Sequence, residues 1–286
     1  MSAETVPVAA PGGQGAPAPA PAAGRLARVR RSSGSLVLKL ASVAAGLLVW
    51  QLYAPTVNPI LLKPPSAVLL GAVRLLQDGT LEEAILKSLH NFAFGFAIAL
   101  VLGLLLGVVT ARSRVLFNLA DPWVNALYST PSVALVPFLA LWLGIGDLPK
   151  IATIGVFAVF PILINTQQGV RHVDPQLLEV ARSFSSGERR LWTDVLLPSA
   201  LPYILAGAKL AIGRALVGMV VGEFLTSFNG GLGSLIIQFQ NTFRVDLMFV
   251  PLIVVAVLGM ALIGLVQWLE RRLAPWAAQG LLKEEG

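Results

Sequence analysis

Six long apolar runs separated by short polar ones dominate the 286-residue chain. They cover residues 36–54, 89–111, 118–146, 151–170, 201–225 and 247–270. Each approaches or exceeds the ~20 mostly apolar residues that a helix needs to cross a bilayer. The runs are continuously apolar, without the alternation of a membrane β-barrel, so they predict helices. The third run holds Pro122, Pro131 and Pro137. It predicts a broken helix, or two helices joined near Ser129-Thr130-Pro131-Ser132, since proline removes a backbone donor that only protein or a wet cavity can compensate at membrane depth. The expected fold class is all-α: a polytopic membrane bundle of about six transmembrane helices.

Composition supports this reading. Hydrophobic residues make up 56% and charged residues 13%, against roughly 45–50% and ~25% in soluble domains. So few charges cannot cover a soluble surface around so much apolar material. Zero cysteines exclude disulfides, thiolate metal sites and cysteine nucleophiles, and two histidines make a His-based metal centre improbable. The net charge of +6 would suit a nucleic-acid partner in a soluble protein, but its placement says otherwise. With the N-terminus inside, the cytoplasmic side carries 13 Lys and Arg: Arg25, Arg28, Arg30, Arg31, Arg112, Arg114, Arg171, Arg182, Arg189, Arg190, Arg271, Arg272 and Lys283. The opposite side carries 5, namely Lys63, Arg74, Lys87, Lys150 and Arg244, while Lys39, Lys209 and Arg214 lie within spans. The excess is an orientation signal that places both termini in the cytoplasm, and it removes the support for nucleic acid.

The tail 1–34, rich in Ala and Pro and then basic, has too little bulky side chain to bury and is expected to be disordered. Its composition does not fit a secretory signal. Residues 35–80 then hold the first span and an external loop, 81–275 the core, and 276–286 a cytoplasmic tail. One link stands out: residues 171–198, RHVDPQLLEVARSFSSGERRLWTDVLLP, on the cytoplasmic side. Asp174-Pro175 signals a helix start, and Leu177, Leu178, Ala181 and Phe184 then recur at helical spacing. Ser185-Ser186-Gly187-Glu188 fits a capping box for a second short helix, with Ser185 as N-cap; Leu191, Trp192, Val195 and Leu196 form its apolar face and Pro198 ends it. Two readings fit. The link lies on lipid headgroups or caps the bundle, or it docks a cytoplasmic partner through its apolar side chains, with Glu179 and Arg182 setting orientation. Its four Arg are balanced by Asp174, Glu179, Glu188 and Asp194, which favours a protein partner over a lipid surface.

Glu179-Val180-Ala181, followed by Val195-x-Leu197-Pro198, resembles the EAA loop in the membrane subunits of bacterial ABC importers. The likeness extends over residues 80–275. It points to permeases of the nitrate/sulfonate/taurine type through PSVALVPFLALWLGIGDLPKI (131–151), PILINTQQGVRHVDPQLLEVARSF (161–184) and GEFLTSFNGGLGSLI (222–236). The resemblance implies a MetI-like, type I ABC importer fold. It implies that the loop forms coupling helices seated in a cleft of an ATPase subunit, assigning Glu179, Val180, Ala181, Ser185, Gly187, Leu197 and Pro198 to that contact. The family's turn glycine falls here on Ser185, with Gly187 two residues later, and Val180 replaces an alanine. Also implied are a permease homodimer in a bacterial inner membrane, two cytoplasmic ATPase subunits holding ATP and Mg, and a periplasmic or lipid-anchored substrate-binding protein. No cofactor is expected on this chain. The expected cargo is a small anionic solute such as nitrate, a sulfonate or taurine.

Several residues are pathway candidates. Glu223, near the outer end of the fifth span, forms an outer gate with Thr226 and Ser227, or sits at headgroup level bound to a backbone amide or water. Lys209 can snorkel, whereas Arg214 lies deeper and faces a pore or a carboxylate; an oxyanion cargo would make it a pathway contact. Thr130 and Ser132, and Asn165 with Thr166 and Gln167, either line the pathway or bond between helices. Gly103-x-x-x-Gly107 and Gly218-x-x-x-Gly222 allow close helix approach, within the chain or between copies. His90 and His172 are expected to be structural or solvated. The chain contains no G-x-x-x-x-G-K-[ST], so ATP chemistry falls to another subunit. An ion-gradient secondary transporter is the alternative, but the halves show no repeat and the spans hold few acids.

Overall fold

The computed structural model describes residues 23–184, 187–225 and 230–276. The chain divides into two compact units, residues 1–52 and 53–286. The described part of the first is helix α1 (Ala23–Tyr53), long and apolar enough from Val37 to cross a membrane. Residues 23–34 were expected in a disordered tail; they extend α1 instead. Proline is confined to the segment before Ala23, and the Arg, Leu and Ala that follow are good helix formers.

Near its start the second unit has a short helix, α2 (Pro65–Gln77), where an external loop was expected. Its two prolines precede or occupy the first helical position, so they start the helix without breaking it. Asp78 then receives the Thr80 amide at 3.0 Å. The Thr80 donors, side chain before backbone, hold the Asp78 carboxyl below the usual carboxylate range. Helices α3 (Thr80–Arg112), α4 (Arg114–Ser129), α5 (Val136–Leu143) and α6 (Asp147–Arg171) follow. The expected break is real: α4 and the segment from Ser132 to Leu143 meet at 88°. The Ala126 carbonyl accepts both the Thr130 amide at 3.1 Å and the Thr130 hydroxyl at 2.9 Å, closing the last turn of α4 before Pro131.

The 171–198 link forms α7 (Pro175–Ser183) and α8 (Glu188–Arg190). A π-helical turn, Leu191–Leu196, then runs without interruption into α9 (Leu197–Leu225). Pro198 was expected to end the second link helix. It sits instead in the first turn of α9, and the wide π turn before it accommodates the missing N–H. Helices α10 (Leu232–Asn241) and α11 (Val245–Leu273) complete the described chain. Thus α1, α3, α6, α9 and α11 are candidate spans, with the bent α4–α5 pair as a sixth.

The centre of the second unit is a three-helix contact in which α6 packs along both α3 and α9. Lipid tails are as apolar as leucine, so close van der Waals contact must hold such helices together. Small residues on α3 at four-residue spacing make this contact: Gly95, Ala99, Gly103 and Gly107 are all buried. A Cβ at Gly95, Gly103 or Gly107 would come within 2.7, 2.8 and 2.7 Å of the Cβ atoms of Ile154, Ile162 and Thr166 on α6. The Gly103 spacing therefore serves packing within the chain. Gly218 does the same against Phe157, 3.0 Å from the Phe157 Cγ by the same measure.

Gly103→Leu is expected to destabilise the purified protein by roughly 1–3 kcal/mol or more through overpacking, seen as a lower midpoint of thermal unfolding in detergent. Gly264→Ala on α11, where nothing lies within 4 Å of the new Cβ, should not lower it. Equal midpoints for the two variants would show that the α3–α6 contact is not close-packed.

Candidate functional site

At the end of the bundle that carries the 171–198 link, α7 starts as its sequence dictates: the Asp174 carboxylate accepts the Gln176 amide at 2.8 Å and Pro175 takes the first helical position. The apolar face read from the sequence divides in two. Leu178 turns inward, joining Leu191, Trp192 and Val195 over a buried cluster of Val170, Val173, Leu196 and Ala200; Ala181 is half-buried. Leu177, Val180 and Phe184 turn outward and are 50, 54 and 80% exposed. Glu179 is exposed beside them. An amphipathic helix that uses one apolar stripe to sit on its own protein and presents a second stripe has spare contact area.

Two contacts tie this loop to the spans. Arg112, at the end of α3, pairs with Glu188 at 2.7 Å, and the Arg171 guanidinium lies 3.6 Å from the centroid of Phe117 on α4. The Glu188 carboxylate thus bonds to Arg112, and the second link helix starts after Gly187. Ser185, the expected N-cap, lies outside the described residues. Leu197 and Pro198 belong to the first turn of α9, and Ala181 is less exposed than Glu179 and Val180.

At the opposite end Glu223 is fully buried. Its Oε1 accepts the Ser88 hydroxyl at 2.6 Å, and its Oε2 accepts the Gly233 amide at 2.7 Å. Ser88 Oγ in turn accepts the Leu232 amide at 2.8 Å. A carboxyl from α9 thus caps the N-terminus of α10 directly and through α3, where free amides favour an acceptor. Gly231, at φ +117°, lies so near that a Cβ would come within 2.5 Å of the carboxyl. Of the two readings of Glu223, the backbone-amide contact is the one present; Thr226 and Ser227 lie outside the described residues. Lys150, counted from the sequence as an external charge, is also fully buried. It donates to the Gly230 carbonyl at 3.3 Å and lies 3.5 Å from the Asp147 carboxylate. The sequence signal for this knot was the GGLG run after Glu223, which marks a tight turn into a helix; Ser88 and Lys150 gave none.

The remaining polar candidates separate by environment. Asn165 Nδ2 donates to the Pro161 carbonyl at 2.8 Å, and its Cβ packs against Gly207 on α9. Thr166 is buried against Gly107, and Gln167 donates to Thr110 on α3 at 3.1 Å. These hold helices together. Lys209 does not snorkel freely; it pairs with Glu270 on α11 at 2.5 Å. His172 bonds the Gln168 carbonyl at 2.9 Å and stacks on Tyr203, while His90 stacks on Phe94. Arg214 meets no carboxylate among the described residues: its Nη2 donates to the Tyr128 hydroxyl at 3.1 Å, with the guanidinium 4.6 Å from that ring's centroid. Ser132 and Arg214 line one cavity of about 320 Å³; Thr130, Asn165 and Glu223 do not. A larger cavity of about 610 Å³, bordered by Phe94, Ile98, Leu102, Ile151 and Val159, has no polar side chain in its wall.

Apolar spans, a bent sixth pair and a helical loop on one side define the class. A chain of the MetNI methionine ABC transporter, crystallised in an inward-facing conformation, superposes with a TM-score of 0.59 and 21% identity, over 68% of this chain and 96% of that one. The fold is therefore that of MetI-like ABC transporter permeases. Residues 99–275 match the family of binding-protein-dependent transport system inner membrane components, and the chain belongs to that family. A Bacillus subtilis protein provisionally named as an aliphatic sulfonates transport permease is 33% identical over 230 residues, 80% of this chain and 83% of that protein. The bicarbonate transport system permease of Synechococcus elongatus is 28% identical over 256 residues, 86% and 92% of the two chains. The protein is a membrane-embedded ABC importer permease, a transport subunit, and membership of the family implies ATPase and substrate-binding-protein partners.

Glu223→Ala is expected to cost stability, because it leaves Ser88 and the Gly233 amide buried without their acceptor, at about 1–3 kcal/mol for an orphaned group. Thermal unfolding in detergent measures it. An unchanged midpoint would mean that the knot contributes nothing to the fold.

Proposed function

We propose that this permease carries a small anionic solute inward across a bacterial inner membrane, powered by ATP hydrolysis in a separate subunit. The assembly is a permease homodimer, two cytoplasmic ATPase subunits that hold ATP and Mg, and a periplasmic or lipid-anchored protein that delivers the solute. Both termini lie in the cytoplasm, as the Lys and Arg distribution supports.

The exposed stripe Leu177–Val180–Phe184 on α7 carries this reading. Three large apolar side chains stand in water on a polar loop outside the spans, and burial in a partner's groove would remove them from it. Glu179 beside them sets the orientation. When the ATPases close, force on α7 and α8 passes to α9, because Glu188–Leu225 is one continuous helical rod, and to α3 through Arg112–Glu188. Displacement of these helices switches access between the two sides. The cargo class is supported by the relatives named for sulfonates and bicarbonate, both anions.

Val180→Asp and Glu179→Arg change exposed positions and should leave the unfolding midpoint nearly unchanged. Each is expected to weaken capture of the co-expressed ATPase subunit at least tenfold, about 1.4 kcal/mol, and to reduce ATP-dependent uptake in reconstituted vesicles in parallel. Uptake at the wild-type rate in both variants would sink the coupling role of α7.

A further inference from the structure

We propose that Arg214, Tyr128 and Ser132 form a binding site for an organic oxyanion, a sulfonate or carboxylate head on a short apolar body, in the cavity beside the α4–α5 break. The inference rests on the permease reading and specifies where that permease holds its cargo.

Three observations converge. Arg214 lies deep in its span: at 1.5 Å per residue it is about 16 Å from the outer end of α9 and about 26 Å from the inner end. A guanidinium at that depth is stable facing protein or a cavity, and it marks a pathway. Lys150 has Asp147 and Lys209 has Glu270, but Arg214 has a phenol. Its positive charge has no counter-charge among the described residues. A guanidinium carries five N–H donors in a planar fork that matches the oxygens of a carboxylate or sulfonate. The bond to Tyr128 uses one of them, so the others remain for an anion.

Tyr128 is the positioning residue. It is half-buried on the last turn of α4, and its ring lies beside Phe160 of α6 with centroids 6.4 Å apart. With the hydroxyl at one nitrogen and the ring beneath the guanidinium, the fork has one orientation. Ser132 follows the break and adds a hydroxyl to the same cavity. The rest of the wall is Val133, Phe157, Gly213 and Val217. A Cβ at Gly213 would meet nothing within 4 Å, so this side of the cavity is open. A volume of about 320 Å³ sits at the lower end of the range for small-ligand sites, roughly 300–1,000 Å³. Polar donors at one end and an apolar wall at the other select a molecule that has both. Bare sulfate would satisfy the head and leave the wall wet; an alcohol would fill the wall and leave the charge unpaired.

The test uses the full-length permease in nanodiscs of phosphatidylcholine, a lipid without net charge, with 1-butanesulfonate, sulfate and 1-butanol as probes and thermal unfolding as readout. Butanesulfonate at about 10 mM should raise the midpoint of the wild type, as ligands of the folded state do. Sulfate should do so less and butanol not at all. Arg214→Gln should weaken butanesulfonate binding at least tenfold. Tyr128→Phe, which keeps the ring and loses the hydroxyl, should weaken it several-fold, and Tyr128→Ala more. The ligand-free midpoints of Arg214→Gln and Tyr128→Phe should stay close to the wild type, which separates a lost site from a lost fold. Val180→Asp should bind butanesulfonate as the wild type does while failing to capture the ATPase. Failure of that capture prediction therefore counts against the coupling reading and leaves the site standing. No shift of the wild type, equal shifts from all three probes, or unchanged butanesulfonate affinity in Arg214→Gln would each overturn the site.

Discussion

The contact between α3 and α6 is the constraint on which the rest of this permease depends. A bilayer offers helices no hydrophobic reason to associate, so approach must be close enough for backbone and small side chains to touch. Gly95, Ala99, Gly103 and Gly107 provide that approach along one face of α3, and Ile154, Ile162 and Thr166 of α6 fill it. With α6 fixed against α3 on one side and α9 on the other, polar residues that would be costly alone acquire partners. Gln167 reaches Thr110, and Glu223 reaches Ser88. Had the helices stood a methyl group further apart, neither bond would close at the observed distance.

The membrane-depth charges show how the scaffold distinguishes structure from chemistry. Lys150 is enclosed by Asp147 and the Gly230 carbonyl, and Lys209 is paired with Glu270. Glu223 serves as a remote cap for α10. Each neutralises or hydrogen-bonds a group that the apolar surroundings would otherwise penalise. Arg214 is treated differently: it is held by an aromatic ring and a neutral hydroxyl, beside a cavity lined also by Ser132 of the bent α4–α5 pair. The break carries two hydroxyl residues, Thr130 and Ser132: the first is bonded to the Ala126 carbonyl and the second lines the cavity with Arg214.

The 171–198 loop is joined to this core both by packing and by a continuous helix. Its inner apolar face rests on Val170, Val173, Leu196 and Ala200, and its second helix continues through a π turn into α9. That second helix is therefore continuous with the helix that holds both Arg214 and Glu223.

Much of this was legible in the sequence. Spans were readable because about twenty continuously apolar residues have no alternative home, and the break because proline lacks a donor. The helix start at Asp174-Pro175 was readable from local capping chemistry, which needs no distant partner. Other features were not local. Periodicity named Leu177, Leu178, Ala181 and Phe184 as one apolar face; the buried cluster beneath α7 decided that Leu178 turns inward while Leu177 and Phe184 stay in water. Pro198 read as a stop, yet the π turn let the helix pass through it. Lys150 counted as an external charge until Asp147 and Gly230 closed around it, and Tyr128 looked like one aromatic among many until it met Arg214, 86 residues along the chain. By itself the sequence determined which segments are apolar enough to enter the membrane, because that follows from transfer of single residues between water and lipid. The tertiary structure alone decided which polar groups are satisfied and which remain available, because satisfaction depends on a partner, and partners lie far apart in sequence.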